Sequence, residues 1–356
     1  MIRYFRLILF YLIIYSSTYL SGQTIYRYGT TAANFLEIGI GSGPNAMGEA
    51  QVSVVNDVSA IYWNPAGLSS LEKNSALFTV QPWLVDIDML FTGGAFVMPN
   101  LGVFGIGITQ LDYGDMEVTT LEYQDGTGEK FKATDLAAAF TFSRKIVSWF
   151  AFGSSIKYIR SNIWHNSASA FAVDLGAIVN TGFFSLTDRK ENGLNIGMSI
   201  SNYGTRMKYD GIDNYQPIDI SEYESGNYGD VAGQFRTSEW ELPLIFRLGV
   251  SIQPIASQSM TLTIAADAIH PNNNSESVNV GASFDNKIPG FGELSLKGGF
   301  RSGMSNLNSG SNDLSFSAGA GVKMYFLRNR SIGIDYAYKM MGILGNIQTY
   351  TVSIAF

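Results

Sequence analysis

The sequence predicts an all-β fold, a transmembrane antiparallel β-barrel of about 14 strands with an N-terminal hatch or plug segment. Three observations predict it. Apolar and small polar residues alternate with period two along most of the chain, the pattern of a strand with two unlike faces. The alternating segments run to about 11 residues or more, the length a tilted strand needs to cross a bilayer and about twice that of an ordinary soluble strand. The connections between them sort into short ones at one end and long ones at the other, as in bacterial outer-membrane barrels.

Composition agrees. The chain has 356 residues, with 38 Gly, 19 Tyr and 23 Phe, and only 15% of residues are charged. A soluble protein averages about 25% charged. The mean hydropathy of +0.08 is far too low for a bundle of membrane helices but suits a barrel, in which only alternate residues meet lipid. A soluble β-sandwich or propeller is the competing reading of composition alone. There is no cysteine, so disulfides, thiolate metal sites and a lipoprotein anchor are excluded.

The chain opens with Arg3 and Arg6, then a short apolar run from Leu7 to Tyr15, then the small and polar stretch Ser16–Gly22. That order is a secretory signal peptide over 1–22, with cleavage expected before Gln23, and its apolar run is too short to span a membrane as a helix. Losing Arg3 and Arg6 takes the formal charge from −7 to −9, which argues against nucleic acid as a partner.

Residues 23–72 read as compact, irregular chain that precedes the strands: a glycine-rich loop from Gly39, small mixed residues with short helical turns over 46–60, then Trp63-Asn64-Pro65-Ala66-Gly67, where Pro65 and Gly67 are expected to stop any regular element. Strands are predicted over 74–82, 88–97, 101–112, 131–143, 149–160, 168–180, 192–203, 240–253, 259–269, 277–286, 290–302, 312–326, 330–340 and 346–356. Three show the alternation best. Trp240, Leu242, Leu244, Phe246, Leu248, Val250 and Ile252 form one face; Leu314, Phe316, Ala318, Ala320, Val322, Met324 and Phe326 another; Ile332, Ile334, Tyr336, Tyr338 and Met340 a third, each meeting lipid. The last strand places Tyr350, Val352, Ile354 and the terminal Phe356 on its lipid face, a terminal aromatic that suits recognition by the barrel assembly machinery.

Closure is obligatory in lipid, because an open sheet edge would leave backbone groups unpaired where there is no water. The strand starting near Asn74 is therefore expected to pair with the one ending at Phe356. A barrel this wide has a lumen that side chains alone do not fill. Residues 23–72 stand immediately before the first strand and are the expected plug, with residues 73–356 as the barrel. The lumen-facing polar set is Lys157, Asp174, Glu241, Arg247, Asp267, Glu293, Lys297, Arg301, Lys323, Asp335 and Lys339. A charge on the lipid face near the midplane costs roughly 2–4 kcal/mol, which is why these point inward. They read as a salt-bridged wall gripping the hatch, or alternatively as a polar path.

Sites of chemistry are sparse. His165 and His270 both fall on outer loops, and nearness of His165 to Ser161 and Ser167 in sequence does not make a triad, so no enzyme is predicted. Asp210-Gly-Ile-Asp213 has carboxylates but no calcium-loop spacing, so solvated loop charge is the better reading and no metal or cofactor is expected. Trp63–Gly67 reads as a rigid turn from hatch to barrel, against a hatch element that moves. The long stretch 204–239 carries Tyr209, Tyr215, Tyr223, Tyr228 and Phe235 among Asp, Glu, Ser and Gly, a composition suited to an adaptable protein-binding surface.

Five blocks then carry a family resemblance: Gly43-Pro-Asn-Ala-Met-Gly-Glu-Ala50; Val58 to Leu68 with its Asn-Pro-Ala-Gly-Leu run; Leu242-Pro-Leu-Ile-Phe-Arg-Leu-Gly249; His270-Pro-Asn-Asn-Asn-Ser-Glu276; and Ile334-Asp-Tyr-Ala-Tyr338 with Leu344-Gly345. Together and in this order they resemble the PorV/PorQ family, a branch of the FadL-like outer-membrane barrels. The resemblance implies a hatch-plugged barrel in a Bacteroidota-type outer membrane, in contact with outer-membrane lipid. It also implies a role in the type IX secretion system, where PorV-like members bind the large translocon protein and receive exported proteins with C-terminal signal domains, and PorQ-like members act at cell-surface attachment. No stretch separates the two. The alternative is passive transport of small hydrophobic molecules, by analogy with other FadL-like barrels.

Overall fold

The computed structural model describes residues 27–185, 192–218, 231–303, 315–326 and 330–356. The expected leader, 1–22, lies outside the described residues. Fourteen strands close into one antiparallel barrel: β1 Ser75–Pro82, β2 Asp88–Met98, β3 Gly102–Glu117, β4 Lys130–Val147, β5 Phe150–Ile163, β6 Asn166–Asn180, β7 Asn195–Gly204, β8 Ile245–Ala256, β9 Met260–Pro271, β10 Ser277–Ile288, β11 Gly292–Gly303, β12 Ser315–Phe326, β13 Arg330–Met340 and β14 Asn346–Ala355. Each strand pairs with its neighbours in sequence. Closure falls where the lipid argument requires it: β1 pairs with β14 in the register Ser75↔Ala355 to Val80↔Tyr350, and the Phe356 amide donates to the Asn74 carbonyl at 2.9 Å.

The period-two pattern is realised as two faces. On β13, Ser331, Gly333, Ala337 and Lys339 are buried while Ile334, Tyr336 and Met340 are exposed to the surroundings. On β14, Thr349 and Thr351 point in, and Tyr350, Val352, Ile354 and Phe356 form an outward apolar stripe. Connections at 99–101, 148–149, 181–194, 257–259, 289–291 and 327–329 share one end of the barrel with the Phe356 terminus. Those at 83–87, 118–129, 164–165, 205–244, 272–276, 304–314 and 341–345 share the other, which carries the longest, 205–244; the sorting is incomplete, since the second longest, 181–194, is at the Phe356 end and the two-residue turn 164–165 at the other.

Two strands differ most from expectation: β3 runs on to Glu117 rather than ending at 112, and β8 starts late. β8 starts at Ile245, not at 240. Pro243 has no N–H to give a ladder. Trp240 and Glu241 instead bridge to Met207 and Thr31, and the Pro243 carbonyl accepts from the Asn202 amide Nδ2 at 3.0 Å. Leu242 consequently turns inward, 4% exposed, rather than meeting lipid. Glu241 leaves the lumen set: it sits at the long-loop rim, exposed, paired with Arg206 at 2.9 Å. Pro65 and Gly67 also differ, for they open a 3₁₀ helix, Pro65–Ser70, instead of ending one. Pro is favoured at the first helical position because its missing N–H is one that the helix leaves unbonded.

Candidate functional site

Residues 31–71 lie inside the barrel and pack against its inner wall. Two short helices, α1 Ser42–Ala46 and α2 Ala60–Trp63, punctuate this inner segment. Its two faces meet unlike walls. Residues 42–52 hydrogen-bond to polar side chains of β9, β12 and β14. Residues 58–68 pack apolar side chains on β2–β6.

On the polar side, the Ser42 amide and hydroxyl donate to Thr351 Oγ1 at 2.9 and 2.8 Å. The Gly48 amide donates to Ser317 Oγ at 3.0 Å. Glu49 is the hub. Its Oε1 lies 2.5 Å from Lys339 Nζ and its Oε2 lies 2.9 Å from Arg301 Nη1, so both carboxylate oxygens are neutralised from the wall. Asp267 Oδ2 accepts the amides of Gln51 and Val52 at 2.6 and 2.8 Å. Arg247, 3% exposed, donates to Ser201 Oγ at 2.9 Å and lays its guanidinium over the rings of Tyr62 and Trp63, 5.4 and 5.6 Å from their centroids.

On the apolar side, Ile61 and Leu68 pack against β2–β5 beside Phe91, Ala137, Ala139 and Ile159. Trp63 is buried and donates Nε1–H to the Ile40 carbonyl at 3.0 Å. Asn64 binds three pieces of chain together. Its Nδ2 donates to the carbonyls of Val52 at 2.7 Å and Ala177 at 3.2 Å, and its Oδ1 accepts the Ala66 amide at 3.1 Å, capping the 3₁₀ turn. The run Trp63–Gly67 is therefore a buried staple between segment and wall. At Gly153 of β5 the segment backbone comes so close that a Cβ would collide with the Pro65 carbonyl carbon, and at Gly299 of β11 one would collide with that of Met47. Glycine is needed at both for close backbone approach.

The remaining members of the lumen set divide. Lys157 and Asp174 form a buried pair at 2.6 Å, clasped further by Asn202, whose Oδ1 accepts from Lys157 at 2.9 Å and whose amide donates to Asp174 at 2.7 Å. Lys297 and Asp335 pair more loosely at 3.7 Å. Lys323 is exposed near the short-turn end, and Glu293 there accepts from the Tyr325 hydroxyl at 3.2 Å. Sequence reasoning missed Glu49, Asn202 and Asn273. Glu49 stands alone as a charge among small residues, and that isolation was the available signal.

The described parts of the long connection, residues 205–218 and 231–244, lie at the long-loop end of the barrel. Tyr215 and Phe235 are exposed on and beside a two-stranded ribbon, Tyr215–Ile218 with Val231–Gln234. Tyr209 is half-buried, and burial raises its hydroxyl pKa above the ordinary tyrosine value. Tyr223 and Tyr228 lie outside the described residues. His165 pairs with Asp213 at 2.9 Å and His270 with Glu276 at 3.0 Å. Asp210 accepts from Gln234 Nε2 at 2.7 Å, so the two loop carboxylates serve different partners.

Among the described residues, two of the cavities lie between segment and wall, one of about 20 Å³ beside Leu36, Ile61, Phe91 and Ala139 and one of about 30 Å³ between Glu37, Tyr62, Arg247 and Arg301. Each has room for one or two waters; about 150 Å³ is the scale that accepts benzene.

Comparison with solved structures places the fold. The CymD monoaromatic hydrocarbon channel aligns with a TM-score of 0.54 at 9% identity, covering 92% of this chain and 97% of that one. The Ralstonia pickettii toluene transporter TbuX aligns at 0.52 and 11%, covering 89% and 97%. The Pseudomonas putida toluene transporter TodX aligns at 0.51 and 12%, covering 89% and 96%. At such identities the likeness is one of fold, that of FadL-like outer-membrane barrels. No curated protein sequence matches. The family profile described as "Type IX secretion system protein PorV" matches residues 22–228, more than half of the chain, taking in the whole inner segment, the strands up to β7 and part of the long outer loop. On that match, and with the closed barrel that goes with it, this chain belongs to the PorV family of type IX secretion system outer-membrane barrels.

Proposed function

We propose that this barrel is a non-enzymatic accessory of type IX secretion. Its outer face docks the large translocon protein and receives the C-terminal signal domains of exported proteins, and its inner segment serves as a hatch that keeps the lumen shut. The observation that carries the reading is the division of the molecule. Residues 31–71 lie inside the barrel bonded to its wall on both sides, while the described parts of the long connection, 205–218 and 231–244, carry Tyr215 and Phe235 exposed. Function then resides on the rim, where aromatic residues among small polar ones suit protein recognition. Deleting 210–232 should leave a folded barrel that no longer co-purifies the translocon or cargo from native membranes. Unchanged co-purification counts against the docking role.

The second reading is passage of small hydrophobic molecules, which the names of the neighbouring hydrocarbon channels and toluene transporters describe for those proteins. Neither of the two cavities of about 20 and 30 Å³ between segment and wall has room for a hydrocarbon ring. Clean monomer carrying lumenal lipid, with no protein partner, would favour it.

A further inference from the structure

The inner segment is held on its two sides by different forces. Residues 58–70 bury Ile61, Trp63 and Leu68 in the main apolar cluster, and the carbonyls of Ala66 and Trp63 accept from the wall hydroxyls of Ser143 and Ser199 at 3.0 and 3.1 Å. No buried polar side-chain atom of 58–70 lacks a partner. Residues 42–51 instead meet β9 and β11–β14 through Asp267, Arg301, Ser317, Lys339 and Thr351, and their apolar cluster is small, Met47 and Ala50 with Ala265. That side is also incompletely bonded. Ser53 Oγ, Arg247 Nε, Ser251 Oγ, Asp267 Oδ1 and both side-chain amide atoms of Asn279 are buried with no hydrogen-bond partner among the described residues. Water replaces a hydrogen bond at small net cost, whereas re-exposed apolar surface loses its whole transfer free energy.

Hydrophilic wall continues on either side of residues 42–51. Toward the short-turn end, the Lys297 and Asp335 side chains are 20% and 25% exposed, and a Cβ on Gly43 would lie 3.0 Å from Lys297 Nζ. Toward the long-loop end lies the cavity between Glu37, Glu49, Arg247 and Arg301, which reaches Pro271 and Asn274. The intervening layer has defined limits. At one end stands Gly41, whose φ of 87° is left-handed; at the other stands Val52, whose carbonyl accepts from Asn64 Nδ2 at 2.7 Å. Before Gly41 the chain is pinned again at the outer mouth, where Asn273 Nδ2 donates to Glu37 Oε1 at 2.5 Å and to Thr31 Oγ1 at 2.6 Å.

We infer that residues 42–51 are a gate, released while 58–70 stays on the wall, and that this gate closes a hydrophilic passage for water and small ions along β9–β13. Glu49 is its lock, because it neutralises Lys339 and Arg301 together. The inference rests on the hatch role proposed above and adds which part of the hatch moves and which class of solute it stops. Charges line the route from Lys297 to Arg247, so apolar solutes are not its cargo.

Hydrogen exchange on the unaltered chain in detergent should give protection factors roughly tenfold or more lower for 42–51 than for 58–70, the mark of local opening. Glu49→Gln leaves Lys339 and Arg301 facing a neutral side chain, and should conduct ions in planar bilayers in steps smaller than those of a variant lacking 27–70. A disulfide between Ser42→Cys and Thr351→Cys, whose hydroxyl oxygens lie 2.8 Å apart in this cysteine-free chain, should suppress that current until reductant is added. Equal protection of 42–51 and 58–70 overturns the separate gate, whether or not Glu49→Gln folds. Glu49→Gln steps as large as those of the deletion overturn it too, since the whole segment has then left, and they leave the hatch role standing. A Glu49→Gln barrel that keeps its heat-modifiable migration and stays closed overturns the lock and the passage. A folded 27–70 deletion that does not conduct removes the hatch role and the gate with it.

Discussion

Lys157 and Asp174 meet at 2.6 Å with side chains 6% and 0% exposed, and such a pair is held at the expense of desolvating both ions. Removing one partner leaves a buried charge without compensation. Lys157→Met should cost about 3–5 kcal/mol in urea unfolding, and adding Asp174→Leu should restore most of it. Recovery in the double variant separates charge burial from loss of packing. Asp267 is different in kind, because its Oδ2 serves two backbone amides of the inner segment. Asp267→Ala strands Gln51 and Val52 N–H groups, each costing about 1–3 kcal/mol, and should raise proteolysis of the segment while the barrel keeps its heat-modifiable migration. At this scale the sequence was informative about direction and silent about partners. Alternation placed Lys157, Asp174, Arg247, Asp267 and Lys339 on inward positions, as the structure has them. It could not say that Lys339 meets Glu49, 290 residues away in the chain, since no local pattern encodes a contact across a lumen.

Elements follow from period two until proline or a close approach intervenes. The alternating run from Trp240 continues on paper through Leu242 and Leu244, yet the ladder begins at Ile245 because Pro243 cannot donate to it. A contact decides Gly153 as well: the segment backbone rests on it, so Gly153→Leu should displace Pro65–Ser70 and expose the segment to protease without removing a single strand hydrogen bond. The terminal strand is the opposite case, legible in full. Tyr350, Val352, Ile354 and Phe356 all face outward, and β14 must pair with β1 to remove the edge. Phe356→Asp should reach the periplasm but fail to assemble, read as loss of the heat-modifiable form from outer membranes.

At the scale of the whole molecule, described residues 31–71 lie inside the barrel and bond to its wall, where they are proposed to act as the plug. A variant lacking 27–70 should therefore conduct ions in planar bilayers in large steps, while the unaltered chain should stay closed. Steady large conductance from the unaltered chain would contradict the plug. How the parts divide between sequence and structure has a physical basis. Strand length, closure and most of the facing are set by rules that act along the chain: a bilayer fixes strand length, lipid fixes the alternation, and the absence of water forbids an open edge. The sequence by itself determined these. The path of residues 31–71 was decided only in three dimensions, because irregular chain has no period to read and its position depends on wall residues far away in sequence. Glu49 between Lys339 and Arg301, Asn64 between Val52 and Ala177, and Thr31 against Glu241 are all contacts of that kind. The tertiary structure alone placed the start of the segment at the long-loop mouth, since packing a lumen is a matter of volume and hydrogen-bond partners around a closed wall.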